Sequence, residues 1–159
     1  MEFNKKGFKI KMEKDTFDEF VEQLQRNIEK KEEKTYSREV IKQYRNPKNF
    51  RSIENPNTIG EIKGPCGDTM RIMLKIKDEI ITDASFWTNG CGASIACGNK
   101  LTSMIIDKKI NFAEKITEIE LEKKLQGLPE EHKHCALLAT NTLKKAVEIY
   151  YKKVEDEKK

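Results

Sequence analysis

Residues 84–99 contain no charged side chain, although charged residues make up 36% of the 159 in the chain. Six of the eight glycines lie between positions 60 and 98, around and just before that stretch. Hydrophobic residues reach only 36%, against about 45–50% in a typical globular chain when glycine is counted. The apolar material is therefore concentrated, and the middle of the chain must supply both the core and whatever needs a permissive backbone. The length suits one domain with an extension.

Period-two patterning marks the sheet. Met70, Ile72, Leu74 and Ile76 alternate with Arg71, Lys75 and Lys77, interrupted only by Met73, which predicts a strand with one buried and one wet face. A turn at Asp78-Glu79 leads to a second strand over Ile80–Thr88, and Ile59–Lys63 is a third candidate. The simplest arrangement is an antiparallel meander.

Helical spacing governs the rest. Residues 1–35 carry 18 charges, and within them Phe17, Phe20, Val21, Leu24 and Ile28 share one stripe of an amphipathic helix. Ser37 is a candidate N-cap for a short helix whose apolar face is Val40, Ile41 and Tyr44 and which Asn46-Pro47 ends. Cys97, Leu101, Met104 and Ile105 predict a helix running to about Lys109. Asn111 with Glu114, and Thr117 with Glu120, have the form of capping boxes. Gly127 suits a left-handed stop, and Pro129 is expected to open the last helix, with Cys135, Leu138, Ala139, Leu143, Ala146 and Tyr150 on its buried face. The fold expected is α+β: a three-stranded antiparallel sheet packed by helices on one face, plus the N-terminal amphipathic helix. Residues 1–35 form a charged extension, 36–153 the domain and 154–159 a charged tail.

The net charge of +4, with both signs interleaved, excludes a strongly cationic nucleic-acid stripe. No run of 18 apolar residues and no secretory signal is present, so the protein is expected to be soluble and cytoplasmic. In a reducing compartment four cysteines read as metal ligands or reactive thiols rather than disulfides. Cys66 lies in the turn-forming run Gly64-Pro65-Cys66-Gly67-Asp68; Cys91 lies in Asn89-Gly90-Cys91-Gly92, where a strand hands over to a helix; Cys135 follows His134 at the start of the last helix. Helix N-termini lower a thiol pKa from its free value of about 8.5. Cys97 sits on an apolar stripe, about 120° around the helix from Cys91, and reads as a buried hydrophobe. His132 reads as a surface residue and His134 as a candidate ligand, while Asp68 is either a ligand or a turn residue accepting backbone N–H groups. Three thiolates completed by histidine or carboxylate suit zinc or an iron–sulfur unit. No C-x2-C pair is present, so the ligands meet only on folding, as in an open and exchangeable centre.

From Tyr36 to about Tyr151 the chain resembles the IscU/NifU-type iron–sulfur cluster assembly scaffolds. The resemblance rests on Tyr36-Ser37, Asn46-Pro47, Cys66-Gly67-Asp68, the run Gly90-Cys91-Gly92-Ala93-Ser94-Ile95-Ala96, Leu128-Pro129 and His134-Cys135. It implies that Cys66, Cys91 and Cys135 receive sulfur and hold a transient 2Fe-2S cluster, that Asp68 assists iron entry and keeps the cluster labile, and that His134 is an additional or alternative ligand. It also implies a cysteine desulfurase and apo iron–sulfur proteins as partners, and zinc as another occupant of the site. One departure stands out. Where many scaffolds carry Leu-Pro-Pro-Val-Lys for a dedicated Hsp70-type chaperone, this chain has Leu128-Pro129-Glu130-Glu131-His132, and two glutamates disfavour an apolar peptide groove.

The leading expectation is a non-enzymatic scaffold, monomer or homodimer, that builds and passes on a 2Fe-2S cluster. The alternatives are a zinc-bound sulfur acceptor for a desulfurase and a structural zinc domain. A hydrolytic metal enzyme is the weakest, because no H-E-x-x-H pattern or paired acid and base is present.

Overall fold

The computed structural model describes residues 2–159, with side chains from residue 16 onward. The backbone divides into two compact units, residues 1–35 and residues 36–159. The first is helix α1, Glu2–Thr35. Its Phe17, Phe20, Val21, Leu24 and Ile28 are each 40–64% exposed.

The second unit opens with α2 (Arg38–Arg45), capped by Ser37, whose hydroxyl accepts from the Val40 amide at 3.1 Å. Strands β1 (Thr58–Lys63), β2 (Thr69–Lys77) and β3 (Ile80–Thr88) form one antiparallel sheet in the order β1-β2-β3. Then come α3 (Gly92–Ile105), α4 (Ile110–Glu114), α5 (Glu118–Lys124), a 3-10 turn at Glu130–His132, and α6 (Lys133–Glu157). The alternation in β2 works as expected: Met70, Ile72, Leu74 and Ile76 are buried, together with Ile81, Ala84 and Phe86 of β3, beneath α3 and α6.

Two close approaches set the packing. A Cβ on Gly60 of β1 would stand 2.5 Å from the Thr142 carbonyl oxygen and 2.6 Å from the Ala146 amide, so α6 lies directly on β1. A Cβ on Gly98 of α3 would meet the Phe86 ring at 2.4 Å. Glycine is what lets both helices lie so low on the sheet.

The opposite face is wet only in part. Arg71 pairs with Glu61 at 2.6 Å and lies over the half-exposed Trp87 ring. Phe50 bridges Phe86 on β3, yet β1 starts at Thr58 on the far edge, so residues 51–57 cross the sheet. Ile53 and Met73 are buried outside the main core, which places this crossing over the face that the helices leave open. That explains why Met73, the break in the period, is apolar.

Three boundaries differ from expectation. Helix α3 stops at Ile105 because the chain then turns through Asp107 (φ 64°) to pair with β3, where the Asp107 amide donates to the Ile81 carbonyl and the Ile81 amide to Lys108. Asn111 lies inside α4 rather than at its cap, which is Lys109. Pro129 precedes the 3-10 turn, and α6 begins only at Lys133. Thr117 does cap α5, accepting from the Glu120 amide at 3.2 Å. Among the described residues no helix is long and apolar enough to cross a membrane.

Candidate metal centre

Cys91 is the N-cap of α3, with extended backbone angles, and the Ser94 and Ala93 amides of the first turn favour a negative charge on its sulfur. Its helix opens on glycine and alanine with no acidic residue in the first turn, so nothing there opposes a negative sulfur. Cys135 lies in the first turn of α6, which the 3-10 turn swings alongside α3. Buried Ser94 joins the two, its hydroxyl donating to Cys135 Sγ at 3.3 Å.

The two sulfurs share a proton unequally. The hydrogen bond from Cys135, followed by the Ser94 and Ala93 amides, pulls the Cys91 thiol down to about 4 against the opposing effect of burial. The Cys135 thiol is pushed up by the same bond and by burial. Cys91 is thus the thiolate and Cys135 the donor. Cys97 is fully buried and its thiol is pushed up by desolvation, as a core residue should be.

The third member is His132. The ligand atoms of Cys91, His132 and Cys135 all lie within 4.8 Å of one another, with His132 Nδ1 3.8 Å from Cys91 Sγ. His132 is half-buried, not the surface residue its position suggested, because the Tyr36 hydroxyl meets its Nε2 at 3.1 Å and the two rings pack at 5.6 Å. His134 has its Nε2 3.7 Å from Cys135 Sγ but stands outside the three-atom set. The sequence did offer a signal for His132: it precedes Cys135 by three residues, about one helical turn.

Cys66 and Asp68 lie in the β1–β2 hairpin loop, closed by the Gly64 amide bonding the Asp68 carbonyl at 2.8 Å and turned by Gly67 at φ +90°. Cys66 is exposed and stands outside the set, as does Asp68. The loop is nevertheless tied to the Cys91 segment: Asn89 Oδ1 accepts from the Thr69 amide at 2.7 Å, and a Cβ on Gly90 would come 2.9 Å from Asp68 Oδ2. The carboxylate therefore borders the residue before Cys91.

A small antiparallel sheet under two long helices, with Cys91, His132 and Cys135 gathered near the point where β3 hands over to α3, defines a domain with a metal-capable cysteine and histidine group. Residues 35–157 match the family described as NifU-like N terminal domain, and the chain belongs to it. It is similar to iron-sulfur cluster assembly scaffold protein IscU 1 of Archaeoglobus fulgidus, at 40% identity over 119 residues, covering 74% of this chain and 78% of that one. It is also similar to IscU of Rickettsia prowazekii, at 39% over 128 residues, with 77% and 97% covered. The crystal structure of a NifU-like N-terminal protein from Brucella abortus shares the fold, with TM-score 0.58 at 15% identity over 74% of this chain and 94% of that one.

Proposed function

We propose that the chain is a scaffold on which a transient 2Fe-2S cluster is assembled at Cys66, Cys91 and Cys135 and from which it passes to apo-proteins. The observation that carries this reading is the gathering of the Cys91 and Cys135 sulfurs with an imidazole within 4.8 Å, beside the hairpin that bears Cys66. Two thiolates and a nitrogen fit iron or zinc; a third thiol on a glycine turn offers a ligand that can arrive and leave.

Sulfur would come from the persulfide of a cysteine desulfurase. An exposed cysteine sulfur, that of Cys91 or Cys66, attacks the terminal sulfur; the desulfurase thiolate leaves as the S–S bond breaks, and the scaffold cysteine carries the persulfide. Sulfide is then released in one of two ways: a second thiolate attacks the inner sulfur, so that the persulfide S–S bond breaks, hydrosulfide leaves and a disulfide remains, or a low-potential donor supplies two electrons that, with a proton, cleave the same bond to hydrosulfide and the restored cysteine thiolate. Asp68, a hard oxygen donor bordering Gly90, weakens the hold on a soft cargo and so favours release. Nothing in this scheme requires the chain to turn over a substrate as an enzyme does. The reducing cytoplasm, where all four cysteines stay free, is its natural compartment. Exposed Glu130 and Glu131 keep the segment before Cys135 a poor fit for an apolar chaperone groove.

Anaerobic reconstitution with ferrous iron and sulfide should give a brown protein with sulfur-to-iron charge-transfer bands and a 2Fe-2S Mössbauer signature, lost when Cys66, Cys91 or Cys135 is changed singly to alanine. A colourless product, or replacements that change nothing, refutes the reading. The mixed sulfur and nitrogen set also supports a second one, a zinc-bound sulfur acceptor. It requires one zinc per chain retained through reconstitution and faster desulfurase turnover on adding the protein.

A further inference from the structure

We infer that α1 is an assembly helix: two copies of the chain pair antiparallel along the stripe Phe17, Val21, Leu24 and Ile28. The inference stands apart from the metal centre and goes beyond the scaffold reading.

Length and exposure make the first case. α1 runs for 34 residues, against a mean of about 11–12 for helices in globular proteins, and it fills its compact unit. A helix draws most of its stability from packing an apolar face, yet no residue from 16 to 35 is buried. Phe17, Leu24 and Ile28 are half or more exposed. A periodic helix longer than about 25 residues points to a coiled coil or a membrane span, and among the described residues none is apolar enough to span. Residues 1–35 hold nine basic and nine acidic side chains, so their net charge gives no pull toward an anionic lipid surface or a nucleic acid.

Spacing makes the second. Phe17, Val21, Leu24 and Ile28 follow steps of four, three and four, the apolar seam of a two-stranded coiled coil. With Val21 set opposite Leu24 of an antiparallel second copy, the seam closes on itself. Phe17 meets Ile28, Val21 meets Leu24, and the same two pairs recur in reverse. The next steps fall on Lys14 and Lys31, which end the seam after four apolar layers.

Charge chooses the partner and its direction. In this register Lys11 and Glu32 of the second copy take facing positions on one flank, and Glu13 and Lys34 take them on the other. A parallel register would set Lys6 beside Lys11 and Glu13 beside Asp18, like against like. The flanks of α1 are therefore complementary to an inverted copy of α1. Four layers make a short seam, so the pairing is weak and depends on concentration.

The test is sedimentation equilibrium of the reduced full chain, with chelator present so that no shared metal joins two copies. It should show monomer passing to dimer between about 1 µM and about 1 mM. Leu24→Glu and Val21→Glu place a carboxylate in the seam, and each should weaken the dimer at least about 30-fold. Calorimetry should show the thermal transition of the second unit unmoved in both, which separates lost pairing from lost folding. Glu32→Lys with Lys34→Glu should weaken pairing about tenfold, and adding Lys11→Glu with Glu13→Lys should restore it. A chain that stays monomeric across that range, or a dimer that survives both Leu24→Glu and Val21→Glu, overturns the proposal. A charge-reversed double variant that pairs as tightly as the original overturns the antiparallel register. Failed cluster reconstitution in a chain that dimerises as described would count against the scaffold reading and leave this one standing.

Discussion

At the scale of single residues, the chemistry follows from an asymmetry between two sulfurs. Cys91 gains amides at a helix start and a proton donor, whereas Cys135 is 1% exposed and gives that donor. A thiol drawn down to about 4 is deprotonated at neutral pH, so the metal-free protein should alkylate at Cys91 with a rate midpoint well below the free value of about 8.5. Cys135→Ala, which removes the donor, should move that midpoint up. Mass-resolved iodoacetamide rates across pH measure both. Ser85 offers a separate check. It is fully buried, and its hydroxyl has no hydrogen-bond partner among the described residues. Since an unsatisfied buried hydroxyl costs stability, Ser85→Ala should be neutral to stabilising, by up to about 1 kcal/mol in chemical denaturation.

At the scale of elements, the site exists because α6 and α3 lie low on the sheet. Gly60→Ala would drive a methyl into the backbone of α6, and a rigid neighbour cannot yield as a side-chain tip would. We expect a loss of 3 kcal/mol or more, above the usual cost of about 1–3 kcal/mol for overpacking, and a weakened metal affinity as α6 is displaced. Elements of this kind were legible where the signal is local. The strand β2 showed its two faces, Ser37 and Thr117 announced their helices, and Cys97 declared itself core through its stripe. What the sequence hid is set by distant partners. Pro129 is a valid helix opener, but the chain spends three residues in a 3-10 turn first, and that turn lifts His132 toward Tyr36, 96 residues away. No periodicity records such a contact. Met73 likewise read as a flaw in the pattern until residues 51–57 were seen to cross above it.

At the scale of the whole molecule, the apolar core and every candidate ligand found among the described residues belong to residues 36–159, and the family match spans 35–157. Removal of residues 1–35 should therefore leave a cooperatively folding domain, with a Tm within a few degrees of the full chain and undiminished cobalt binding, as calorimetry and titration would show. A fall of ten degrees or more would make α1 part of the folded body. The three separated cysteine motifs made the architecture and the general chemistry readable. That the His132 ring gathers with both sulfurs was not readable, because it depends on where the folded chain delivers each ring.

The gradient of exposure across the sulfurs carries a last consequence. Cys66 and Cys91 face solvent and Cys135 does not. A visiting surface therefore meets the outer thiols first, and anything seated on all three must detach outside-in, so that Cys135 lets go last. Delivery would then be a handover in which the recipient takes hold before the giver lets go.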